Sequence, residues 1–568
     1  QTLLAAFKQN LSGAPSGPAG TGKTETVRDC AKALGRPCVV YNCSEEVTPE
    51  QMSQFFAGLS SSGSWSCFDE FNRINIEVLS VIAQQVRSIQ EAISGNVETF
   101  KLDARTLVIN PNAAICITMN PGYAGRTELP DNLKALFRPV AMMVPDFVFI
   151  SEILLFSGGF STASVLAIKL GALFDLCRKQ LSNARHYDWG LRAMKAILST
   201  AGKAKRKALD EDESLLLVRI IRDCTAPRLI SDDLPLFNSI ITDVFPNVTP
   251  QKEQSPELIE KIEQVFNEMH CIPLPIFKDK CIEFHETTLV RHGIMLVGGA
   301  FGGKSTTWKI LAKSLTNLSN ELPVHVEHLN PKAISIAELY GCFNPATSEW
   351  SDGVLSHAIR SCSFSEQNEH KWIIVDGPVD SLWIESMNSL LDDNKVLCLP
   401  NNERIQLGPE VKLIFEVDDL SQASPATVSR CGMVYFDPSC LAWRTICESL
   451  TNQLPHGNVV LEFCDFYFPS MIQFLEVDAS LALNITSNIV VSKTLGIFEC
   501  FVDLLRKPKE IATEDEDEQK FVDPLNYMLY YSIFCDYQNK DIPYFYSNED
   551  KVRDFAEMIF IFSVIWSF

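Results

Sequence analysis

Residues 17–24 read Gly17-Pro18-Ala19-Gly20-Thr21-Gly22-Lys23-Thr24. This stretch decides the fold, because it matches the whole pattern G-x-x-x-x-G-K-[S/T] of a phosphate-binding loop between a strand and a helix. The glycines let successive backbone N–H groups turn inward around phosphate oxygens. We expect Lys23 to contact the β- and γ-phosphates of ATP and the Thr24 hydroxyl to bind Mg²⁺. The helix that follows would direct the positive end of its dipole at the phosphates.

An acidic strand end follows this loop, in Ser66-Cys-Phe-Asp-Glu70. We expect Asp69 to hold Mg²⁺ and Glu70 to polarise the attacking water as a general base. The alternative is an ordinary exposed acidic strand end. The P-loop upstream favours the catalytic pair, so the sequence predicts hydrolysis of ATP at this site in addition to binding.

Two further polar residues are candidates for the same site. Asn120 follows the apolar run from Ala113 to Met119, and its amide is expected to orient the lytic water. Arg192 lies in a stretch with a helical pattern and could reach over the phosphates. From position alone, an exposed helix arginine is an equal alternative for Arg192.

A second glycine-rich loop begins 281 residues after the first and reads Gly298-Gly-Ala-Phe-Gly-Gly-Lys-Ser305. It fits the same phosphate-loop pattern, and Ser305 is expected to contact the metal as well. The residues expected to bind nucleotide here are Gly298, Gly303, Lys304, Ser305 and Thr306.

The acidic strand of the second site lacks a base. It ends Val375-Asp376-Gly377, so Asp376 is expected to bind metal, while Gly377 has no proton acceptor. The next strand ends Phe415-Glu-Val417 and supplies no Asn. General-base assistance is commonly worth about 10²–10⁴-fold in rate. We therefore expect tight nucleotide binding at the second site, with hydrolysis slowed by orders of magnitude.

Arg430, in Ala426-Thr-Val-Ser-Arg-Cys-Gly432, is a candidate arginine finger. An arginine from a neighbouring module can stabilise the transferring γ-phosphoryl group and is worth roughly 10³–10⁵ in rate in well-known cases. A surface salt bridge is the alternative.

The two halves of the chain repeat one pattern of a P-loop, a helical stretch and apolar strands. Apolar runs separated by helical patterns predict a parallel α/β sheet in each half. Amphipathic helices follow each sheet, and a Pro-rich polar stretch, 246–256, marks a boundary. We name residues 1–250 the first module and residues 251–568 the second module. The predicted domains are 1–145 (large α/β), 146–250 (small, helical), 251–440 (large α/β) and 441–568 (small, helical).

The composition restricts the class of protein. The formal net charge of the 568-residue chain is −22, which argues against a nucleic-acid binder, since phosphate neutralisation needs a basic face. No run reaches about 18 apolar residues without charge, so we expect no membrane span. The 18 cysteines include no C-x-x-C pair and are predicted to be reduced residues of a cytosolic protein.

Together these motifs resemble the motor of dynein heavy chains, which are AAA+ ring ATPases. The resemblance covers nearly the whole chain and corresponds to the first two of six modules, with axonemal dyneins more similar than cytoplasmic ones. The stretches that carry it are Gly17 to Glu25 (GPAGTGKTE), Cys67 to Arg73 (CFDEFNR), Ile117 to Arg126 (ITMNPGYAGR), Glu128 to Pro139 (ELPDNLKALFRP), Ile374 to Asp380 (IVDGPVD), Leu390 to Lys395 (LLDDNK) and Ala423 to Gly432 (ASPATVSRCG).

The resemblance implies a role for each site. The first site would be the main motor ATPase, with Glu25 in its nucleotide motif, Arg430 as its finger and Arg192 as its sensor. The second would hold ATP as a structural ligand, although Ala300-Phe301 departs from the family's second P-loop. Two inserts, near Leu339 to Gly353 and Leu397 to Leu407, would contact the linker.

The same resemblance implies partners and a location. They are the remaining heavy-chain modules with their linker and stalk, microtubules through those parts, and dynein intermediate or light chains. The location would be the cytoplasm and cytoskeleton, in the axoneme of a cilium or flagellum. Two alternatives are a nucleotide-bound ring scaffold and a midasin-type AAA+ remodelling ATPase; Cys67 to Arg73 and Ala423 to Gly432 argue against the second.

Overall fold

The computed structural model describes residues 1–506 apart from short stretches. Ala19 of the first P-loop is outside the described residues, and so is everything after residue 506. The other stretches outside the description are 44–46, 104, 121–128, 209–210, 247, 249–255, 319–320, 345–346, 348, 366–368, 393, 402, 438–439, 453–456 and 478–486.

The strands of the described chain are short and mostly apolar. They are β1 (Ser12–Ser16), β2 (Cys38–Asn42), β3 (Trp65–Asp69), β4 (Thr99–Leu102), β5 (Arg105–Val108), β6 (Ala114–Ile117), β7 (Phe137–Ala141), β8 (Gly293–Val297), β9 (Val324–Leu329), β10 (Gly341–Phe343), β11 (Trp350–Asp352), β12 (His370–Asp376), β13 (Val396–Cys398), β14 (Arg404–Gln406), β15 (Val411–Val417) and β16 (Gly432–Tyr435).

Helices separate these strands and also form two helical regions. They are α1 (Thr2–Lys8), α2 (Lys23–Ala33), α3 (Pro49–Ser62), α4 (Ile76–Ser94), α5 (Asp131–Lys134), α6 (Phe147–Ser157), α7 (Ala163–Gln180), α8 (Leu191–Lys207), α9 (Glu213–Thr225), α10 (Leu234–Val244), α11 (Pro256–Glu268), α12 (Pro275–Val290), α13 (Lys304–Thr316), α14 (Ile336–Tyr340), α15 (Val354–Phe364), α16 (Ser381–Ile384), α17 (Asn388–Leu391), α18 (Pro425–Val428), α19 (Trp443–Thr451), α20 (Gly457–Val477) and α21 (Ser487–Arg506). Single 3₁₀ turns occur at Phe71–Arg73, Ala226–Arg228 and Glu385–Met387.

Each module contains a five-stranded parallel sheet, and the strand order is the same in both. The first sheet runs β2-β3-β6-β1-β7 and the second runs β9-β12-β15-β8-β16. This confirms the predicted α/β fold with tandem parallel sheets. In each sheet the strand that precedes the P-loop pairs with the fourth strand on one side and the fifth on the other. The carboxyl ends of the first, third and fourth strands therefore lie at one edge, where ligands bind in such sheets.

Continuous apolar runs explain why the strands were predictable. β8, β12 and β15 are buried along almost their whole length, as strands covered by helices on both faces must be. The acidic strand of the second site and the strand after it end at Asp376 and Val417, where the sequence predicted their ends.

Helices α6 to α10 surround a separate core. It includes Leu170, Phe174, Met194, Ile221 and Phe245, which come from different helices and loops. The basic run Lys203 to Lys207 ends α8, and Lys205 within it is buried. Lys205 is buried because Glu213, at the start of α9, provides a carboxylate whose Oε1 lies 3.7 Å from Nζ.

Two hairpins occupy the stretches where inserts were predicted. Strands β10 and β11 pair antiparallel, with Cys342 opposite Ser351, and β13 and β14 pair with Leu397 opposite Ile405. Asn402, between β13 and β14, is outside the described residues. The contact of these inserts with a linker remains a prediction.

The described chain forms two compact units. The first consists of residues 1–254, 282–298 and 315–435, and so contains both sheets and helices α6 to α10. The second consists of residues 255–281, 299–314 and the described residues from 436 onward, with a core that includes Cys447, Phe463, Phe468 and Leu495. The predicted division of the chain into four domains remains a prediction. Within the described part of the chain, no helix combines the length and apolar character needed to cross a bilayer.

Candidate active site

The first P-loop joins β1 to α2 and is shaped by its glycines. Gly20 and Gly22 have φ angles of 76° and 78°, in the left-handed region that other residues rarely adopt. Gly17 lies so close to β7 that a Cβ atom would sit 2.4 Å from the carbonyl oxygen of Met142. The Lys23 ammonium donates to the carbonyl oxygens of Gly17 (2.9 Å) and Pro18 (2.7 Å). The buried lysine charge is therefore held inside the loop.

Asp69, at the end of β3, lies against the start of α2. The Thr24 hydroxyl donates to Asp69 Oδ1 at 3.0 Å, although the two residues are 45 positions apart. The Thr118 hydroxyl, just after β6, also donates to Asp69 Oδ1 and accepts the Glu70 backbone N–H at 3.1 Å. Thr118 thus fixes both acidic residues. Thr118 was not among the predicted site residues, although its place between Ile117 and Asn120 was a usable signal.

The electrostatics of this cluster fit a divalent cation. Burial raises the pKa of Asp69, and the adjacent Glu70 raises it further. Hydrogen bonds from Thr118 and Thr24, and the charge of Arg430, oppose the increase without cancelling it. The ionised carboxylate would therefore be stabilised by more positive charge. A hydroxyl and a carboxylate 3.0 Å apart beside a phosphate loop are suitable ligands for Mg²⁺.

Glu70 and Asn120 lie at the same edge of the first sheet. Glu70 is 5% exposed and has a φ of 54°, an uncommon conformation for a non-glycine residue. The backbone carbonyl of Asn120 accepts the Asn72 amide at 3.2 Å. The side-chain oxygen of Asn120 is buried and has no hydrogen-bond partner among the described residues. A buried polar atom without a partner costs free energy, so this oxygen fits a ligand or an ordered water at the site.

Arg430 comes from the second module, after α18. Its Nε lies 2.9 Å from Oδ1 of Asp392, and its Nη1 donates to the carbonyl of Ala426 at 2.9 Å. Burial lowers the pKa of Arg430, but the charges of Asp392, Glu70 and Asp69 outweigh burial and hold the pKa above its usual value. Its charge is therefore within range of both acidic residues of the first site.

Arg192, near the start of α8, also contacts the second module. Its Nη1 donates to the Ser429 hydroxyl at 3.0 Å, and its Nη2 lies 3.6 Å from Oδ1 of Asp392. Burial lowers the pKa of Arg192, and the nearby Arg430 lowers it further. Arg192 is thus partly buried beside the finger candidate, and it is not a solvated helix arginine.

Glu25 lies in the first turn of α2. Its carboxylate is exposed, with Oε1 3.5 Å from Nη1 of Arg28. Its predicted place in the nucleotide site stays a prediction, as does that of Thr21, whose hydroxyl donates to the Pro18 carbonyl at 2.9 Å.

The second P-loop, from Gly299 to Ser305, belongs to the second unit. Gly303 has a φ of 87°, and the Phe277 ring packs so closely that a Cβ atom on Gly303 would meet it at 2.2 Å. Lys304 is buried at the start of α13, which also contains Ser305 and Thr306. Phe301 has a φ of 59° and is 42% exposed, so its bulk does not fill the interior of the loop.

Equivalent backbone hydrogen bonds inside each sheet show which strand-end residues of the two sheets correspond. The Gly17 N–H donates to Met119 O at 3.4 Å, and the Gly298 N–H donates to Val417 O at 3.1 Å. Asn120 therefore corresponds to Asp418, which places a carboxylate where the first site has an amide.

The neighbouring strands align in the same way. Phe68 pairs with Ile117, and Val375 pairs with Phe415, so Asp69 corresponds to Asp376 and Glu70 to Gly377. Gly377 has a φ of 156°, and a Cβ atom there would lie 3.3 Å from Oδ1 of Asn330. Asp376 is about half exposed, with Oδ2 3.9 Å from Nε2 of His328.

Comparison with known protein families shows to which family the chain belongs. The family model described as "Hydrolytic ATP binding site of dynein motor region" matches residues 1–305. The chain belongs to the dynein heavy-chain motor family. A second model, "AAA domain (dynein-related subfamily)", matches residues 293–431. The two matches overlap at β8 and the second P-loop, and together they cover both sheets apart from β16.

Relatives of this dynein chain include axonemal heavy chains. It is 50% identical over 525 residues to dynein axonemal heavy chain 3 of Homo sapiens, covering 90% of this chain and 13% of that protein. Dynein axonemal heavy chain 12 of Mus musculus is 48% identical over 486 residues, 84% of this chain and 16% of that protein. Dynein axonemal heavy chain 6 of Homo sapiens is 50% identical over 448 residues, 78% of this chain and 11% of that protein. The dynein chain therefore spans less than a fifth of the length of these relatives.

Proposed function

We propose that the first site of this dynein segment hydrolyses MgATP. The observation that carries the proposal is the meeting of Lys23, Asp69 and Asn120 at one sheet edge, with Thr24 and Glu70 beside them. Lys23 would bind the β- and γ-phosphates, and Glu70 would accept a proton from the attacking water. The Asn120 amide oxygen would hold that water in line. Mg²⁺ between Thr24 and Asp69 would neutralise charge that develops on the phosphate oxygens.

Arg430 would complete the first site from the second module. Its charge already interacts with Glu70 and Asp69, and the γ-phosphoryl group of ATP would bring more negative charge to the same place. Arg192 would report on the same group from α8, through the Asp392 carboxylate that it shares with Arg430. The catalytic unit would therefore include residues from both modules.

The second site would bind nucleotide and hydrolyse it slowly. Its phosphate loop has a buried lysine, Lys304, and its acidic strand has Asp376 as a metal ligand. Gly377 stands where the first site has Glu70, and Asp418 stands where it has Asn120. Without a base beside Asp376, the loss would be about 10²–10⁴-fold in rate. ATP would then serve there as a structural ligand.

The whole protein would be a microtubule motor of the axoneme. The relatives are named axonemal dynein heavy chains, and the family match places this chain in the motor region. Its partners would be the remaining heavy-chain modules, the linker and the stalk, with dynein intermediate and light chains also bound. Microtubules would be bound through those other parts, in the cytoskeleton of a cilium or flagellum.

One experiment tests the hydrolytic role. ATP turnover of the full-length heavy chain is measured for wild type and Glu70→Gln, with and without microtubules. We expect microtubules to stimulate the wild type and Glu70→Gln to lower turnover by about 10²-fold or more, while nucleotide binding is retained. A nucleotide-bound scaffold, the alternative function, would show slow turnover that neither microtubules nor the substitution changes.

A further inference from the structure

A cavity of about 210 Å³ is lined by residues of both modules, all of which belong to the first unit. The first module contributes α8, α9, the loop before α8 and Arg228, and the second contributes the end of α12 and residues 428–433. A dry, apolar cavity of about 150 Å³ in another protein is large enough to bind benzene. This cavity therefore has room for a six-membered ring with one small substituent.

Much of the cavity wall is apolar. It includes Ile197, Ile220 and Met433, which are buried, together with Val290. Transfer of an apolar ring from water to such a wall is favourable. Leu289 also lines the cavity and is 70% exposed, so a small molecule can enter beside it.

Arg228 brings an unpaired hydrogen-bond donor to this wall. It is 9% exposed, its Nη1 donates to the carbonyl oxygen of Asp188 at 3.1 Å, and its Nη2 donates to the Thr225 hydroxyl at 3.3 Å. Its Nε is buried and has no hydrogen-bond partner among the residues that the structure describes. Since a buried donor without an acceptor costs free energy, this N–H group fits an acceptor on a ligand.

His186 brings an unpaired acceptor to the same wall. Its ring stacks on Tyr435, with the planes 5° apart and the centroids 4.9 Å apart. Burial lowers the pKa of His186, whereas a hydrogen bond to the Arg228 backbone raises it and is therefore donated by the ring. Nε2 is buried without a hydrogen-bond partner in the described part of the chain, so Nδ1 is the donor. In the neutral ring this leaves Nε2 as an acceptor.

The charges around the cavity favour a neutral ligand. Two guanidinium groups line it, from Arg228 and Arg291, and so do three carboxylates, from Asp188, Asp223 and Glu286. A charged ligand of either sign would therefore meet groups of its own sign, and burial of an unpaired charge is costly.

We propose that this cavity binds a small neutral molecule that carries a primary carboxamide on a flat apolar ring. The amide oxygen accepts from Nε of Arg228, and the amide NH₂ group donates to Nε2 of His186. A carboxylate offers only acceptors and an amidinium only donors, so neither satisfies both nitrogen atoms. The wall includes Ser429 and Cys431, the neighbours of Arg430, so the bound molecule also contacts the segment that carries the finger candidate.

Benzamide, benzoate and benzamidine test the proposal, because they share one shape and are neutral, negative and positive, respectively. Their binding to the full-length heavy chain is measured by ligand-observed NMR, with ADP saturating the nucleotide sites. We expect the Kd of benzamide to be at least about tenfold lower than that of either charged compound, because each of these leaves one buried nitrogen unpaired. Equal affinities, or tighter binding of a charged compound, would overturn the proposal. So would the absence of benzamide binding at millimolar concentration, which would mean that the cavity holds ordered water only.

Two substitutions show whether benzamide binds in this cavity. Ala196→Leu fills part of the cavity from α8 and is expected to weaken benzamide binding at least about tenfold, since the ring would lose its space. His186→Phe keeps a ring against Tyr435 but removes the acceptor, so we expect it to weaken benzamide about tenfold and to leave benzoate binding no weaker. Benzamide binding that survives either substitution would overturn the proposal.

Thermal unfolding separates a lost ligand site from a lost fold. Both variants should unfold close to the wild-type temperature, and if one does not, the other carries the test. The matched control is Glu91→Gln, which breaks the exposed pair of Arg87 and Glu91 (2.8 Å) in α4 and should leave the three affinities unchanged.

Discussion

Arg192 and Arg430 share one carboxylate as ion-pair partner, because Nη2 of Arg192 lies 3.6 Å and Nε of Arg430 lies 2.9 Å from Oδ1 of Asp392. The two arginines come from different modules, and Arg192 also donates to Ser429, the residue before Arg430. Two guanidinium groups this close repel each other, and Asp392 offsets the repulsion. The sensor and the finger candidates are therefore held as a pair beside the first site.

Substitution of the finger should affect turnover far more than binding. Arg430→Lys keeps a positive charge but loses the planar guanidinium, so we expect turnover at the first site to fall by about 10³-fold, the lower end of the range for an arginine finger. ATP affinity should change only a few-fold, since Lys23 and the loop amides hold the phosphates. Single-turnover hydrolysis and equilibrium binding measure the two effects. Turnover equal to wild type would remove the finger role.

Removal of the shared carboxylate should be less severe. Asp392→Asn leaves both arginines in place but weakens what holds them together, so we expect a loss of about tenfold in turnover. A double-mutant cycle with Arg430→Lys should be strongly non-additive, since residues in one charge network are energetically coupled. Additive effects would show that Asp392 and Arg430 act separately.

The second site should retain ATP through purification. We expect Lys304→Ala to lower the nucleotide content of the purified heavy chain by about one molecule per chain, measured by chromatography of the released nucleotide. Gly377→Glu should not create a second hydrolytic site, because position 377 has a φ of 156° and a Cβ atom there would press on Asn330. The control is Glu91→Gln, which breaks the exposed ion pair of Arg87 and Glu91 in α4. This substitution should leave the nucleotide content unchanged. Fast exchange of labelled ATP in the wild type would contradict a structural ligand.

The strands and the first site were predictable from local sequence. Buried parallel strands are continuous apolar runs, and the loop motif fixes which strand ends lie beside the phosphates. Asp69, Glu70 and Asn120 follow such runs, so their meeting at one edge could be inferred without coordinates.

The contacts between modules were not predictable in this way. Glu385 lies in a short 3₁₀ turn and Asp392 follows α17, and their arginine partners in the first module, Arg73 and Arg192, lie hundreds of residues earlier in the chain. No period or motif in the sequence indicates these pairings. Lys205 shows the same limit, since its burial depends on Glu213 in the next helix. Asp418 required the strand register, because alignment by motif had placed the strand end at Val417.

Acid should destabilise the chain through His292. This side chain is 7% exposed beside β8, its Nε2 lies 2.8 Å from the carbonyl oxygen of Leu390, and burial lowers its pKa to about 4 from 6.5. The unfolded chain therefore binds a proton at a higher pH than the folded chain does. The stability that neutral His292 contributes is complete above pH 6.5 and is lost as the pH falls towards 4.

The expected size of this effect is about 2 kcal/mol between pH 7.5 and pH 5, at 1.36 kcal/mol for each unit of pKa difference. In a chain of this size the unfolding midpoint should fall by a few degrees more for the wild type than for His292→Gln, whose amide can still donate to Leu390 and does not titrate. Thermal unfolding followed by tryptophan fluorescence at pH 7.5, 6 and 5 measures the difference. The control is His357→Gln in α15, an exposed histidine whose substitution should leave the pH dependence of the wild type unchanged. Equal acid sensitivity of the wild type and His292→Gln would show that His292 is not the group that titrates.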